Sequence, residues 1–287
     1  MTTSNGSSGT AGETLAAPAA AWHDLRSLLD LTPTGADRFR APATMTGHRT
    51  LFGGLVAALS VMAAGRTGRP GQVPHSLHAY FLRKASDFPS LDIRVHRVRD
   101  GRAFAVREVE VNQEGRTLFT MMASLHSAES GDDWYEGEKG GAADPATAMT
   151  VQPTQGLRDV GFPFEIRHVA RPRADGFVPL HPMWLRHRRP LPADPLWQAA
   201  ALAYISDLGV VMDARPPGST LAHDFVGTSL DHAVWFHRPV RLDDWVLMES
   251  DPVSSSGGRA LSNARIRDRS GRLVATVLQE GLHRRVD

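Results

Sequence analysis

His78-Ala79-Tyr80-Phe81-Leu82-Arg83 returns later in the chain as His232-Ala233-Val234-Trp235-Phe236-His237-Arg238. Two further pairs keep nearly the same distance: Gly101-Arg102-Ala103 with Gly258-Arg259-Ala260, and Gly115-Arg116-Thr117-Leu118 with Gly271-Arg272-Leu273-Val274. Shifts of 154, 157 and 156 residues are too long for a solenoid and describe a duplicated domain. Working outward from the first copy, residues 51–65 are apolar on nearly every side, which predicts a buried helix. Gly53 and Gly54 sit at its start, where backbone can approach another group closely, and Gly65 at its end. Alternating runs over 75–82, 91–98, 103–113 and 117–126 predict strands, joined by the turns Asp100-Gly101 and Glu114-Gly115. Each copy is thus a long helix followed by an antiparallel meander able to wrap it.

The second copy opens with short strands over 164–168 and 183–188. Asp194-Pro195 then supplies an N-cap and a first-turn proline to a helix over 196–213. Strands follow over 226–237, 245–252, 258–267 and 272–283. The pattern lapses over 127–161, where Gly, Asp and Glu accumulate. The organisation read from this is a disordered tail over 1–20, a first copy over 21–126, a linker over 127–161 and a second copy over 162–287.

Composition bounds the function. A 287-residue chain with 41% hydrophobic and 22% charged residues is a soluble globular protein with a substantial core. A net charge of +1 argues against a nucleic-acid groove or a membrane-binding face. Without cysteine there is no disulfide, thiolate nucleophile or cysteine metal site, which fits a reducing, cytoplasmic setting. No run reaches the roughly 20 apolar residues of a membrane span, and residues 1–20 lack the basic and apolar regions of a secretory signal. The histidines show no H-E-x-x-H spacing, so no metal is expected. There is no G-x-S-x-G elbow and no Walker loop, and Gly53-Gly54 is too short for a dinucleotide fingerprint, so no cofactor is expected. His181 and His187 read as structural.

Four polar residues of the second copy stand out, two within apolar patterns and two at the start of a strand. Asp207 interrupts the stripe Ala200, Ala203, Tyr204, Val210, Val211, where a buried carboxylate is costly unless bonded. Either this face points partly to solvent, or Asp207 ties down a loop, or it does chemistry. Gln279 shares a strand face with Leu273, Ala275 and Val277, and matches Ala123 of the first copy. Taken alone it is a strand-end amide reaching water. Thr228 and Ser229 open the strand leading to His232, where hydroxyls are commonly turn formers.

Taken together, several stretches resemble the acyl-CoA thioesterase II family: Leu51-Phe52-Gly53-Gly54, Val73-Pro74-His75-Ser76-Leu77-His78-Ala79-Tyr80-Phe81-Leu82-Arg83, Arg99-Asp100-Gly101-Arg102-Ala103-Phe104, Ser206-Asp207-Leu208, Ser229-Leu230-Asp231-His232-Ala233-Val234-Trp235-Phe236-His237-Arg238-Pro239 and Gln279-Glu280-Gly281. The resemblance covers most of residues 46–284 and is specific in combination. It implies an α+β double hotdog, two tandem copies of a long buried helix wrapped by an antiparallel sheet. It also implies hydrolysis of acyl-coenzyme A to a free acid and coenzyme A, and a homo-oligomer, dimer or tetramer. The family's catalytic acid, alcohol and amide fall on Asp207, Ser229 and Gln279, with Thr228 as the alternative hydroxyl. The chain departs from the family where glutamines usually follow the glycine pair, since Leu55 and Leu59 stand there. That departure bears on acyl preference more than on chemistry.

The mechanism expected from this reading is attack by a water held by Asp207 as base, with Ser229 and Gln279 orienting it. Amides at Gly53 and Gly54 would receive the oxyanion, and His78 is a further substrate-binding candidate. Coenzyme A phosphates would meet Arg102, Arg259 or Arg238 if these are not ordinary surface or salt-bridge residues. Two other readings stand beside it: a hotdog hydratase or dehydratase that recruits His75 or His232, and a non-catalytic acyl-CoA binding protein.

Overall fold

The computed structural model describes residues 24–42, 51–84, 90–137, 144–151, 161–169, 179–214 and 225–285. The expected tail over 1–20 lies outside the described residues. A short helix α1 (Leu25–Leu28) and a hairpin of β1 (Thr32–Gly35) and β2 (Arg38–Ala41) precede the long helix α2 (Gly53–Arg66). Then come β3 (Gln72–Phe81), β4 (Leu91–Asp100), β5 (Phe104–Gln113) and β6 (Arg116–Ser127). The second copy holds β7 (Met149–Val151), β8 (Phe164–His168), β9 (Met183–His187), α3 (Pro195–Ser206) and α4 (Val210–Asp213). It closes with β10 (Phe225–Ser229), β11 (Asp231–Phe236), β12 (Val246–Ser256), β13 (Arg259–Asp268) and β14 (Leu273–Arg285).

The strands form one sheet, in the order β1-β2-β4-β5-β6-β3-β11-β14-β13-β12-β9-β8-β7, with β10 also paired to β14. The two copies join where β3 and β11 run antiparallel, Ala79 opposite His232 and Leu77 opposite Val234. This is the α+β double hotdog: one long antiparallel sheet around a central helix pair. The matching words of the repeat are therefore the seam itself, side by side across the middle of the sheet.

Helix α2 buries every residue from Gly54 to Ala64, as its all-round apolar sequence requires. Each of its wholly buried leucines, Leu55 and Leu59, contributes about 2 kcal/mol of burial. Helices α2 and α3 pack antiparallel: Gly54 abuts the Tyr204 carbonyl at one end, and Gly65 abuts the Leu196 side chain at the other. A Cβ at position 54 would overlap that carbonyl oxygen, so glycine lets the two backbones touch.

Two features depart from the sequence reading. The hairpin β1–β2 extends the sheet edge against β4, with Phe39 opposite Ile93. Within the expected linker, β7 pairs with β8, and Glu136 and Gly137 accept through their carbonyls from the buried Arg267. Those segments dock on the second copy although their own hydrophobic pattern is weak.

Candidate active site

The second helix does not run unbroken to residue 213. Gly209 turns to a left-handed conformation, φ 75°, so α3 stops at Ser206 and α4 begins afresh at Val210. The stripe expected to carry Asp207 with Val210 and Val211 on one face is thus cut at Asp207. That residue is the C-cap of α3, φ −89° and ψ −1°, at the end that abuts the start of α2.

The run expected as one strand over 226–237 is broken as well. Ser229 pairs with Gly281, yet Ala233 pairs with Leu278, so four steps along one strand match three along the other. The extra residue is a β-bulge. In an unbroken strand positions 229 and 232 would face opposite sides of the sheet. The bulge turns both inward, toward β14, where Gln279 is wholly buried.

Asp207, Ser229 and Gln279 meet in a closed triangle. The Gln279 amide donates from Nε2 to Asp207 Oδ1 at 2.5 Å and to Ser229 Oγ at 2.7 Å. Ser229 donates in turn to Asp207 Oδ1 at 3.3 Å. A carboxylate only accepts, so the amide must present its nitrogen to Asp207. The backbone N–H of Gly54 serves the same carboxylate. Protein surrounds Asp207 on nearly all sides, while a small part of its surface stays accessible. Burial pushes its carboxyl up to about 6, against the lowering effect of Gln279, the Gly54 amide and Ser229. The group is therefore ionised at neutral pH and bonded by two side chains.

The other expected site residues sort by the same geometry. Thr228, one step before Ser229, is turned away by strand alternation, so the hydroxyl at the triangle is that of Ser229. Gly53 lies against Asp207 Oδ2, and the Gly54 amide is occupied by that carboxylate. His78 does not join them. It alternates with the inward-facing Leu77 and Ala79, stays exposed, and packs edge-on against Trp235 at 5.1 Å. Arg238 is paired with Asp133 and stacked on Tyr135, and Arg259 is paired with Glu280, while Arg102 is exposed. His181 bonds Asp213 at 2.7 Å and His187 faces the Arg189 carbonyl, both structural contacts. A cavity of about 940 Å³ opens at the far end of α3, lined by His75, His126, Gln198, Leu202 and Arg238 among others. The triangle does not border it.

Sequence reasoning gave Ser206 no role and considered His232 only for a hydratase. His232, 1% exposed, and Ser206, wholly buried, bond to each other beside the triangle, with Ser206 Oγ 2.8 Å from His232 Nε2. Ser206 adjoins Asp207 and His232 lies three residues past Ser229 in the sequence, and the signal that could have found their pairing is polarity in an otherwise apolar neighbourhood.

Residues 162–282 match the family described as acyl-CoA thioesterase, and residues 41–126 the family described as acyl-CoA thioesterase N-terminal domain. An acyl-coenzyme A thioesterase 8 of Mus musculus is 30% identical, covering 90% of this chain and 88% of its own length. The chain belongs to the acyl-CoA thioesterase II family. An acyl-CoA thioesterase 2 of Haemophilus influenzae is 29% identical over 86% of this chain and 92% of its own. Among solved structures, an acyl-CoA thioesterase II from Mycobacterium marinum superposes with a TM-score of 0.76 at 34% identity, covering 92% of this chain and 98% of that one. Membership in the acyl-CoA thioesterase II family makes the chain a thioester hydrolase, the first of the three functions weighed from sequence. Among the described residues no helix is long and apolar enough to cross a membrane.

Proposed function

We propose that this thioesterase hydrolyses its acyl-coenzyme A at Asp207, with Ser229 and Gln279 as orienting partners. The observation carrying the reading is the triangle: a carboxylate raised to about 6, bonded by an amide and a hydroxyl, with a small accessible face. Asp207 takes a proton from a water whose oxygen attacks the thioester carbonyl carbon. The tetrahedral oxyanion is received by the amide of Gly53 at the start of α2, where the helix field favours negative charge. The oxyanion then reforms its carbonyl, the carbon–sulfur bond breaks, and the proton on Asp207 passes to the departing thiolate. Water's oxygen ends in the free acid, and no covalent enzyme intermediate forms.

Asp207→Ala, assayed for thiol release across a panel of acyl-CoA chain lengths, tests this directly. A folded variant should lose at least about a thousandfold in kcat. Near-normal turnover would overturn the assignment. A homo-oligomer, dimer or tetramer, belongs to the same reading and is tested by light scattering. A cytoplasmic setting belongs to it too and is tested by cell fractionation.

A further inference from the structure

Deepening that assignment, and resting on it, we infer that His232, held by Ser206, is a positioning residue that sets which way the Gln279 amide faces. The sheet register provides the contact. Ala233 pairs with Leu278, so the next rung of the same ladder puts His232 beside Gln279, and both side chains are buried on the inner face. Neighbours across a strand on one face stand about 5 Å apart at Cβ.

The donor and acceptor balance decides the arrangement. Both protons of the Gln279 amide are engaged, by Asp207 and Ser229, which leaves Oε1 needing a donor. Among the described residues Oε1 of Gln279 and Nδ1 of His232 are buried atoms without a partner at full hydrogen-bond length. Ser206 Oγ lies 2.8 Å from the other ring nitrogen, Nε2, and 3.0 Å from the Ala203 carbonyl. If Ser206 gave its proton to Ala203, Nε2 would carry the ring proton and a bare Nδ1 would confront Oε1. If Ser206 donates to Nε2, the ring proton sits on Nδ1 and serves Oε1. The second arrangement costs Ser206 its bond to the Ala203 carbonyl, but it alone gives the buried Oε1 of Gln279 a donor.

Burial holds the His232 ring down at about 4, against the opposing effect of Gln279, so near neutral pH it has a single N–H and its tautomer matters. A reversed amide would set Oε1 against the Asp207 carboxylate and remove the two bonds the amide donates, one to Asp207 and one to Ser229. His232 and Ser206 thus act on the reaction through Gln279, touching neither substrate nor water.

The test uses the full chain, comparing His232→Phe, Ser206→Ala and Gln279→Ala, singly and paired, for kcat and KM of thiol release, with circular dichroism as the folding check. His232→Phe should lower kcat about 10- to 100-fold while KM stays within about twofold. In the Gln279→Ala background it should add less than about a further twofold, because the amide it orients is gone. Full kcat in His232→Phe, or a loss that multiplies undiminished onto Gln279→Ala, overturns the inference. Should His232→Phe fail to fold, Ser206→Ala decides. It should lower kcat about three- to tenfold and be masked by Gln279→Ala in the same way, and unchanged turnover overturns the inference. Asp207→Ala separates the two levels. If it stays active, the catalytic assignment fails; if it is inactive while the His232 and Ser206 variants turn over normally, only the positioning role fails.

Discussion

Gly53 and Asp207 approach so closely that position 53 has no room for a side chain: an added Cβ would lie 2.6 Å from Asp207 Oδ2 and 2.8 Å from a Phe81 ring carbon. The contact joins the two copies of the duplicated domain at the candidate base. Gly53→Ala must push either the carboxylate or the Phe81 ring aside. A displacement of about 1 Å in a catalytic group can lower turnover about a hundredfold, so kcat should fall by about 10- to 100-fold with little change in KM. Steady-state kinetics on the purified variant, with melting temperature as control, checks this.

Gly54→Ala should behave differently. Its Cβ would meet the Tyr204 carbonyl, which is backbone and cannot rotate away, so the two central helices must part. The expected outcome is a loss of roughly 2–3 kcal/mol in stability, read by chemical denaturation. Here the melting temperature moves first and activity follows it.

The rate should depend on pH through Asp207. A base raised to about 6 is protonated and idle below that value, so kcat/KM should climb with pH through about 6 and level off above it. Replacing Gln279 by Glu puts a second carboxyl where the amide donated at 2.5 Å. Two acids so close share a proton, and the rising limb should move to higher pH. A limb unmoved in Gln279→Glu would disconnect Gln279 from the base.

Stability should carry the opposite mark of the same group. Folded, the carboxyl titrates at about 6; unfolded, at its ordinary 3.8. Between these values the folded chain holds a proton that the unfolded chain has released, so the contribution of Asp207 to stability falls as pH rises and stays low above about 6. Asp207→Asn removes that dependence. Measured against the parent chain, its stability should gain roughly 3 kcal/mol from acid to neutral pH. Denaturation midpoints at a series of pH values, with parallel curves for the two proteins, would contradict this.

Much of the architecture was legible because it lives in local pattern. The apolar run over 51–65 coincides closely with α2, the Asp-Gly and Glu-Gly turns separate real strands, and the spaced repeat reports the duplication. Asp207 and Gln279 were visible as polar residues in apolar patterns and Ser229 only as a strand-start hydroxyl beside Thr228; the family resemblance singled out the three, and the structure brings them within hydrogen-bond reach of one another. Other features depend on partners distant in the chain. The bulge between Ser229 and Ala233 is a mismatch against β14 and leaves no periodic trace in its own strand. Gly209 could have been read as punctuation after Leu208, but an apolar run on both sides hid it. The exposure of His78 follows from counting alternate residues once Leu77 and Ala79 are known to face inward.

The location of Gly53 and Gly54 in one copy and of the acid, alcohol and amide in the other has a consequence for how such a chain can change. Two identical modules, paired as separate subunits, would be bound to present the same centre twice. Fusing them lets the two modules differ, as Ala123 at the repeat position of Gln279 shows, while Gly53 and Gly54 of the first still form the wall against which Asp207 of the second lies. Severed into halves, the polypeptide would part Asp207 from the Gly53 and Gly54 backbone that it touches in the joined chain.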